Sequence, residues 1–194
     1  MNTTHLLYFH GFRSSPRSFK AQRMEAAVRA RHPAVTWWCP QLPPSPAAAM
    51  RMVRQGTDAW PSQGMAVVGS SLGGFYATWL AEETGCRAVL LNPAVDPARD
   101  LAGQVGEQAA WHDPAERFHF APEFVDELRA LERGPVRHPE RYFAIIAKGD
   151  EVLDWREMTG RYPGVRTRLL EGSDHGISDF DQHIEEVLAF LQLA

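Results

Sequence analysis

Three side chains in this sequence have the types and the spacing to do chemistry together: Ser71, Asp150 and His175. Ser71 is the centre of Gly69-Ser70-Ser71-Leu72-Gly73, a G-x-S-x-G pattern in which a sharp strand-to-helix turn lifts a hydroxyl above a sheet. Glycines two positions to either side let strand and helix approach closely, and Ser70 lacks that symmetry, so Ser71 is the better candidate. A serine hydroxyl is a poor nucleophile until an imidazole takes its proton, and His175 is the candidate base. A carboxylate must then fix the imidazole tautomer and stabilise the imidazolium. Asp150 is the first choice, with Asp96, Asp154 and Asp174 as competitors. Asp174 is the poorest, because sequence neighbours seldom aim their side chains into one hydrogen bond. The backbone N–H groups of Phe12 and Leu72 are candidate donors to a developing oxyanion.

Such groups converge only if the intervening chain builds the right frame. Apolar runs at His5–Phe9, Val35–Cys39, Met65–Gly69, Ala88–Leu91, Tyr142–Ala147 and Val165–Leu170 read as strands. Helices are expected from Ser18 to Ala30 with Phe19 on the apolar side, then over Ala47–Thr57, Phe75–Glu83, Pro122–Arg133 and Asp181–Leu193. Strands alternating with helices imply a parallel sheet covered on both faces. In such a sheet the loops at the carboxyl ends of the strands share one edge. Ser71 follows the third strand, Asp150 the fifth and His175 the sixth, with the His10-Gly11-Phe12 turn after the first. His10 beside that turn reads as an organiser of its backbone. Residues 96–138 contain no evident strand and read as a helical, cap-like insertion.

Composition narrows the classes. A chain of 194 residues with 44% hydrophobic content suits one domain spanning residues 1–194. A net charge of −4 with interspersed signs offers no basic face for nucleic acid and no polybasic membrane patch. Cys39 and Cys86 lack metal or disulfide spacing and read as buried thiols, and the Trp37-Trp38 pair reads as core. His112, His119 and His183 have no metal-ligand partner at helical spacing, so no metal site is expected. The 69–74 glycines lack the Gly-Lys-Ser/Thr of a phosphate loop. No signal-peptide pattern opens the sequence and no segment reaches 18 apolar residues, which leads to the expectation of a soluble, cytoplasmic protein without a cofactor.

The order Ser, Asp, His is that of the α/β hydrolases. Several segments together resemble the YqiA-type esterases of that superfamily over nearly the whole chain. They are Tyr8-Phe9-His10-Gly11-Phe12 with Ser14-Ser15-Pro16, Pro40-Gln41-Leu42-Pro43, Gly69 to Ala77, Leu91-Asn92-Pro93-Ala94, Gly149 to Asp154, and Gly172-Ser173-Asp174-His175. The resemblance implies a compact α/β-hydrolase fold with a doubly wound, six-stranded, mainly parallel sheet. It further implies a serine esterase or thioesterase acting on small acyl esters, short-chain aryl esters or acyl-CoA, with Ser71, Asp150 and His175 as its triad. Acyl transfer or carbon–carbon bond hydrolysis on the same triad, or ligand binding without turnover, are the alternatives on this scaffold. Two departures stand out: Arg13 occupies the place where asparagine is expected after the His-Gly-Phe turn, and Trp155 the place where tyrosine is usual.

Overall fold

In the computed structural model, which describes residues 2–111 and 113–193, the six expected apolar runs form one parallel sheet. The strands are β1 (His5–Phe9), β2 (Thr36–Trp38), β3 (Met65–Ser70), β4 (Arg87–Leu91), β7 (Tyr142–Ala147) and β8 (Arg166–Leu170). Their order is β2-β1-β3-β4-β7-β8, and every neighbouring pair is parallel. The chain runs outward from β1 to β2 and then returns to place β3 on the other side of β1. The strand order therefore reverses between β1 and β3, and a crevice opens at the carboxyl ends of strands at such a switch point.

Side chains alternate along the inner strands between two apolar layers. Leu7, Phe9, Val67, Leu90, Ala144 and Ile146 face one layer, packed by α2 (Pro46–Thr57), α3 (Leu72–Thr84) and α5 (Pro122–Leu131). Leu6, Tyr8, Val68, Val89, Phe143 and Ile145 face the other, covered by α1 (Phe19–Arg31) and α7 (Ile184–Phe190). Because both faces are buried, these strands read as continuous apolar runs in the sequence. α3 is buried from Leu72 through Ala81, as a helix wedged against the sheet must be.

Some expectations change. Phe19 does not belong to the apolar side of α1: it is 46% exposed. The buried stripe is Ala21, Met24 and Val28, and a residue five positions before Met24 lies about 140° away round the helix. Residues 96–138 are not wholly helical. Besides α4 (Pro97–Leu101) and α5 they hold an antiparallel hairpin, β5 (Gly106–Ala109) paired with β6 (Arg117–Phe120). Its strands are four residues long and seven residues separate them, so neither a long alternation nor a two-residue turn signature marks it. A short α6 (Trp155–Arg161) follows the Asp150 loop, and a tight turn at Phe180–Gln182 replaces the start of the expected last helix.

Trp37 packs against Tyr8 and Trp38 against Trp60. Cys39 and Cys86 are unpaired, and burial pushes the Cys86 thiol up to about 11 and the Cys39 thiol up to about 12. No helix among the described residues is long and apolar enough to cross a membrane.

Candidate active site

Ser71 sits between β3 and α3 with φ 56° and ψ −122°, a left-handed conformation that costs a non-glycine residue about 1–3 kcal/mol. Three hydrogen bonds hold it there. Its N–H donates to Leu91 O at 3.0 Å, and its carbonyl accepts from Gly74 N at 2.8 Å and Ala94 N at 3.0 Å. The flanking glycines are steric requirements: a Cβ on Gly73 would lie 2.2 Å from Phe9 O, and one on Gly69 would lie 2.0 Å from Gly73 O. Only without side chains there can α3 start close enough to β1 and β3 to force the turn.

Asp150, in the loop after β7, has a side chain with no exposed surface. Its Oδ1 accepts from Val152 N and Leu153 N, each at 2.8 Å, and its Oδ2 accepts from His175 Nδ1 at 2.8 Å. Three donors point at this carboxylate, and a carboxylate that accepts at both oxygens has no proton to give. Nδ1 therefore carries the hydrogen, which leaves Nε2 of the neutral ring with a free lone pair. The competing aspartates are occupied elsewhere. Asp96 caps α4 through Arg99 N, Asp154 caps α6 through Arg156 N, and Asp174 accepts from Ser178 N.

The loop carrying His175 is fastened by groups that sequence reasoning did not pick out. Asn92, fully buried at the end of β4 with φ 42°, donates through Nδ2 to Asp174 O at 3.0 Å and His175 O at 3.1 Å. Its Oδ1 accepts from Ala147 N at 2.8 Å, so one amide ties β4, β7 and the histidine loop. Lys20 of α1, 8% exposed, donates from Nζ to Gly176 O at 2.6 Å and His175 O at 3.3 Å. Burial pulls its ammonium down to about 8, opposed by the charges of Asp174, Asp150 and Glu151. Glu151 Oε2 accepts from His175 N at 3.0 Å. Asn92 stood in one of the segments that carry the family resemblance, with no role assigned to it; Lys20 gave no signal.

His10, buried as β1 ends, has Nδ1 3.0 Å from Gly11 O, while its Nε2 accepts from Leu42 N at 3.1 Å. That pairing fits one neutral tautomer and a role in shaping the turn. His119 pairs with Glu107 and His183 with Asp179, while His112 lies outside the described residues.

Ser71 and His175 line one cavity of about 220 Å³, together with Gly11, Phe12, Lys20 and Trp111. Among the described residues no hydrogen bond joins Ser71 Oγ to the imidazole, whose bond is to Asp150. The N–H of Leu72 opens α3, where no intrahelical acceptor exists, and neither it nor the Phe12 N–H donates to another group among the described residues. A second cavity of about 270 Å³ shares Gly11 and Ser14 with the first, and its walls include Leu42, Pro43, Met52, Leu72, Tyr76 and Phe118.

Residues 5–192 match the family described as "Uncharacterised protein family (UPF0227)". The chain belongs to that family. The UPF0227 protein YE1706 of Yersinia enterocolitica is 25% identical over 144 residues, covering 74% of this chain and 71% of the relative. A UPF0227 protein of Yersinia pseudotuberculosis is 24% identical over the same shares. Solved structures share the α/β-hydrolase fold. Mouse alpha/beta hydrolase domain-containing protein 10 superposes with a TM-score of 0.72 at 16% identity, over 98% of this UPF0227 chain and 91% of its own. The esterase domain of a Rhodothermus marinus protein gives 0.70 at 17% identity, over 99% and 88%. The monoacylglycerol lipase of Paleococcus ferrophilus gives 0.69 at 12% identity, over 98% and 95%.

Proposed function

We propose that this protein is a serine hydrolase of the esterase type, cleaving small acyl esters or thioesters through an acyl-Ser71 intermediate. The observation that carries this reading is the 2.8 Å contact between the buried Asp150 carboxylate and His175, whose imidazole opens onto the same cavity as the strained Ser71. The esterases and lipases among the structures of like fold support it.

Ser71 Oγ attacks the acyl carbonyl as His175 Nε2 takes its proton, and the carbonyl oxygen becomes an oxyanion facing the N–H groups of Phe12 and Leu72. Asp150 stays ionised and stabilises the imidazolium. Collapse of the tetrahedral species breaks the ester or thioester bond, and the leaving alcohol or thiol takes the proton from His175. Water then attacks the acyl-enzyme by the same relay, releasing the acid and restoring Ser71. The apolar cavity beside Leu72 and Tyr76 suits the hydrocarbon part of the substrate. Two unpaired thiols fit work in a reducing compartment such as the cytoplasm.

A fluorophosphonate probe tests the reading, because it phosphonylates only an activated serine. Covalent label on Ser71, lost in Ser71→Ala, is the expected result. An unlabelled wild-type chain, or label that survives the substitution, refutes it.

A further inference from the structure

The turn that carries Phe12 is held from outside the sheet, by the side chains of Arg13 and Phe12. Arg13 has φ 58°, a left-handed conformation that a non-glycine residue keeps only when its surroundings enforce it. Its Nε donates to Ala109 O at 2.6 Å, at the end of β5. Its own carbonyl accepts from Trp111 N at 2.8 Å, so the residue is bonded to the hairpin through side chain and backbone at once. The guanidinium also lies 4.1 Å from the centre of the Trp111 ring, a cation–π distance. One residue earlier, the Phe12 ring meets Phe118 and Phe120 of β6 edge-on, with centroids 5.9 and 5.3 Å away. The hairpin thus grips the turn on both sides of the Phe12–Arg13 peptide bond.

We propose that Arg13 is a positioning residue that locks the turn after β1 to the β5–β6 hairpin, so that the aim of the Phe12 N–H at the reacting carbonyl depends on the hairpin being seated. The inference rests on the serine-hydrolase reading. Arg13 touches no reacting atom in this scheme. It supplies the preorganisation that makes an oxyanion donor effective, since a donor that must be reoriented during reaction forfeits much of its benefit. It also gives the inserted hairpin a catalytic consequence: lifting residues 106–120 away from the site would loosen the donor and uncover the cavity wall at Trp111 together.

The experiment compares the full chain with its Arg13→Ala, Arg13→Lys, Trp111→Ala and Arg13→Ala/Trp111→Ala variants. Readouts are kcat and KM on p-nitrophenyl butyrate, affinity for a trifluoromethyl ketone that forms an oxyanion on the serine, and fluorophosphonate labelling. Outright removal of an oxyanion donor costs about 10²–10³ in rate, so a misaimed donor in Arg13→Ala should cost about tenfold or more in kcat with KM within about threefold. Ketone affinity should fall by a similar factor. Arg13→Lys should recover part of the loss, because an ammonium can still donate to Ala109 O but does not stack as a guanidinium does. The double variant should be little worse than Arg13→Ala, because both changes break one latch.

Wild-type kcat and ketone affinity in Arg13→Ala, or a change confined to KM, overturn the proposal while Ser71 labelling leaves the hydrolase reading standing. Absence of label on the wild-type chain overturns both. If Arg13→Ala does not fold, Arg13→Lys and Trp111→Ala decide by the same readouts, and wild-type values in both count against the latch.

Discussion

Replacing Asp150 by asparagine keeps the size of the side chain and changes what it can accept. The native carboxylate takes two backbone N–H groups on Oδ1 and the His175 Nδ1–H on Oδ2. An amide has only one oxygen, so it must choose. Turning its NH₂ toward Val152 N and Leu153 N would set donor against donor at two backbone groups, at about 1–3 kcal/mol each. Turning it toward His175 only reverses one bond, through a change of ring tautomer, so the oxygen stays with the backbone and the NH₂ faces the ring. The imidazole then accepts at Nδ1 and carries its proton on Nε2, where it cannot take the Ser71 proton. In a serine-protease triad the corresponding change lowers kcat by about 10⁴, equivalent to about 5 kcal/mol of transition-state stabilisation. The same order is expected here in steady-state hydrolysis of p-nitrophenyl butyrate, with the thermal melt confirming that the variant is folded. Asp96→Asn and Asp154→Asn are the controls: both aspartates are helix N-caps, and asparagine caps about as well. A kcat for Asp150→Asn within about tenfold of wild type, or an equal loss in either control, would refute the assignment.

The supports behind the histidine give two further expectations. Asn92→Ala strips Ala147 N of its buried acceptor and leaves alanine at φ 42°, for a loss of about 3 kcal/mol. At about 2–4 °C per kcal/mol for a chain of this size, Tm should fall by about 10 °C, and kcat should fall because His175 O loses a donor; a Tm within about 2 °C of wild type would contradict this. Lys20 titrates at about 8 in the folded chain against 10.5 when free. Between those values the unfolded chain binds more protons, so stability rises with pH across that window. The unfolding free energy of wild type minus that of Lys20→Met should accordingly climb by about 3 kcal/mol from pH 8 to 10.5 in denaturant titrations. A flat difference would mean that the ammonium is not the buried cation described.

Much of the frame was legible because its signals are local. β1 and β7 lie where apolar runs predicted them, since strands buried on both faces leave an unbroken hydrophobic stretch. α2 and β3 lie within one residue of the runs expected at Ala47–Thr57 and Met65–Gly69. The strained turn at Ser71 was legible too, because its glycines are demanded by contacts that the motif itself creates. The hairpin over residues 106–120 was not, for its strands are only four residues long, and what pins them is the Phe12–Phe118–Phe120 cluster with the Arg13 latch.

By itself the amino-acid sequence determined the alternation of strand and helix, the serine turn, and the order in which hydroxyl, carboxylate and imidazole leave the same edge of a parallel sheet. The first two are written in residues a few positions apart, and the third in which apolar run each residue follows. Tertiary structure alone decided which aspartate meets the histidine, and which groups hold the histidine still. Lys20 reaches a carbonyl 155 residues away and Asn92 one 83 residues away, and at such separations no periodicity or motif records a contact. Only the folded sheet, by bringing the ends of β1, β3, β4, β7 and β8 to one rim, turns those distant residues into neighbours.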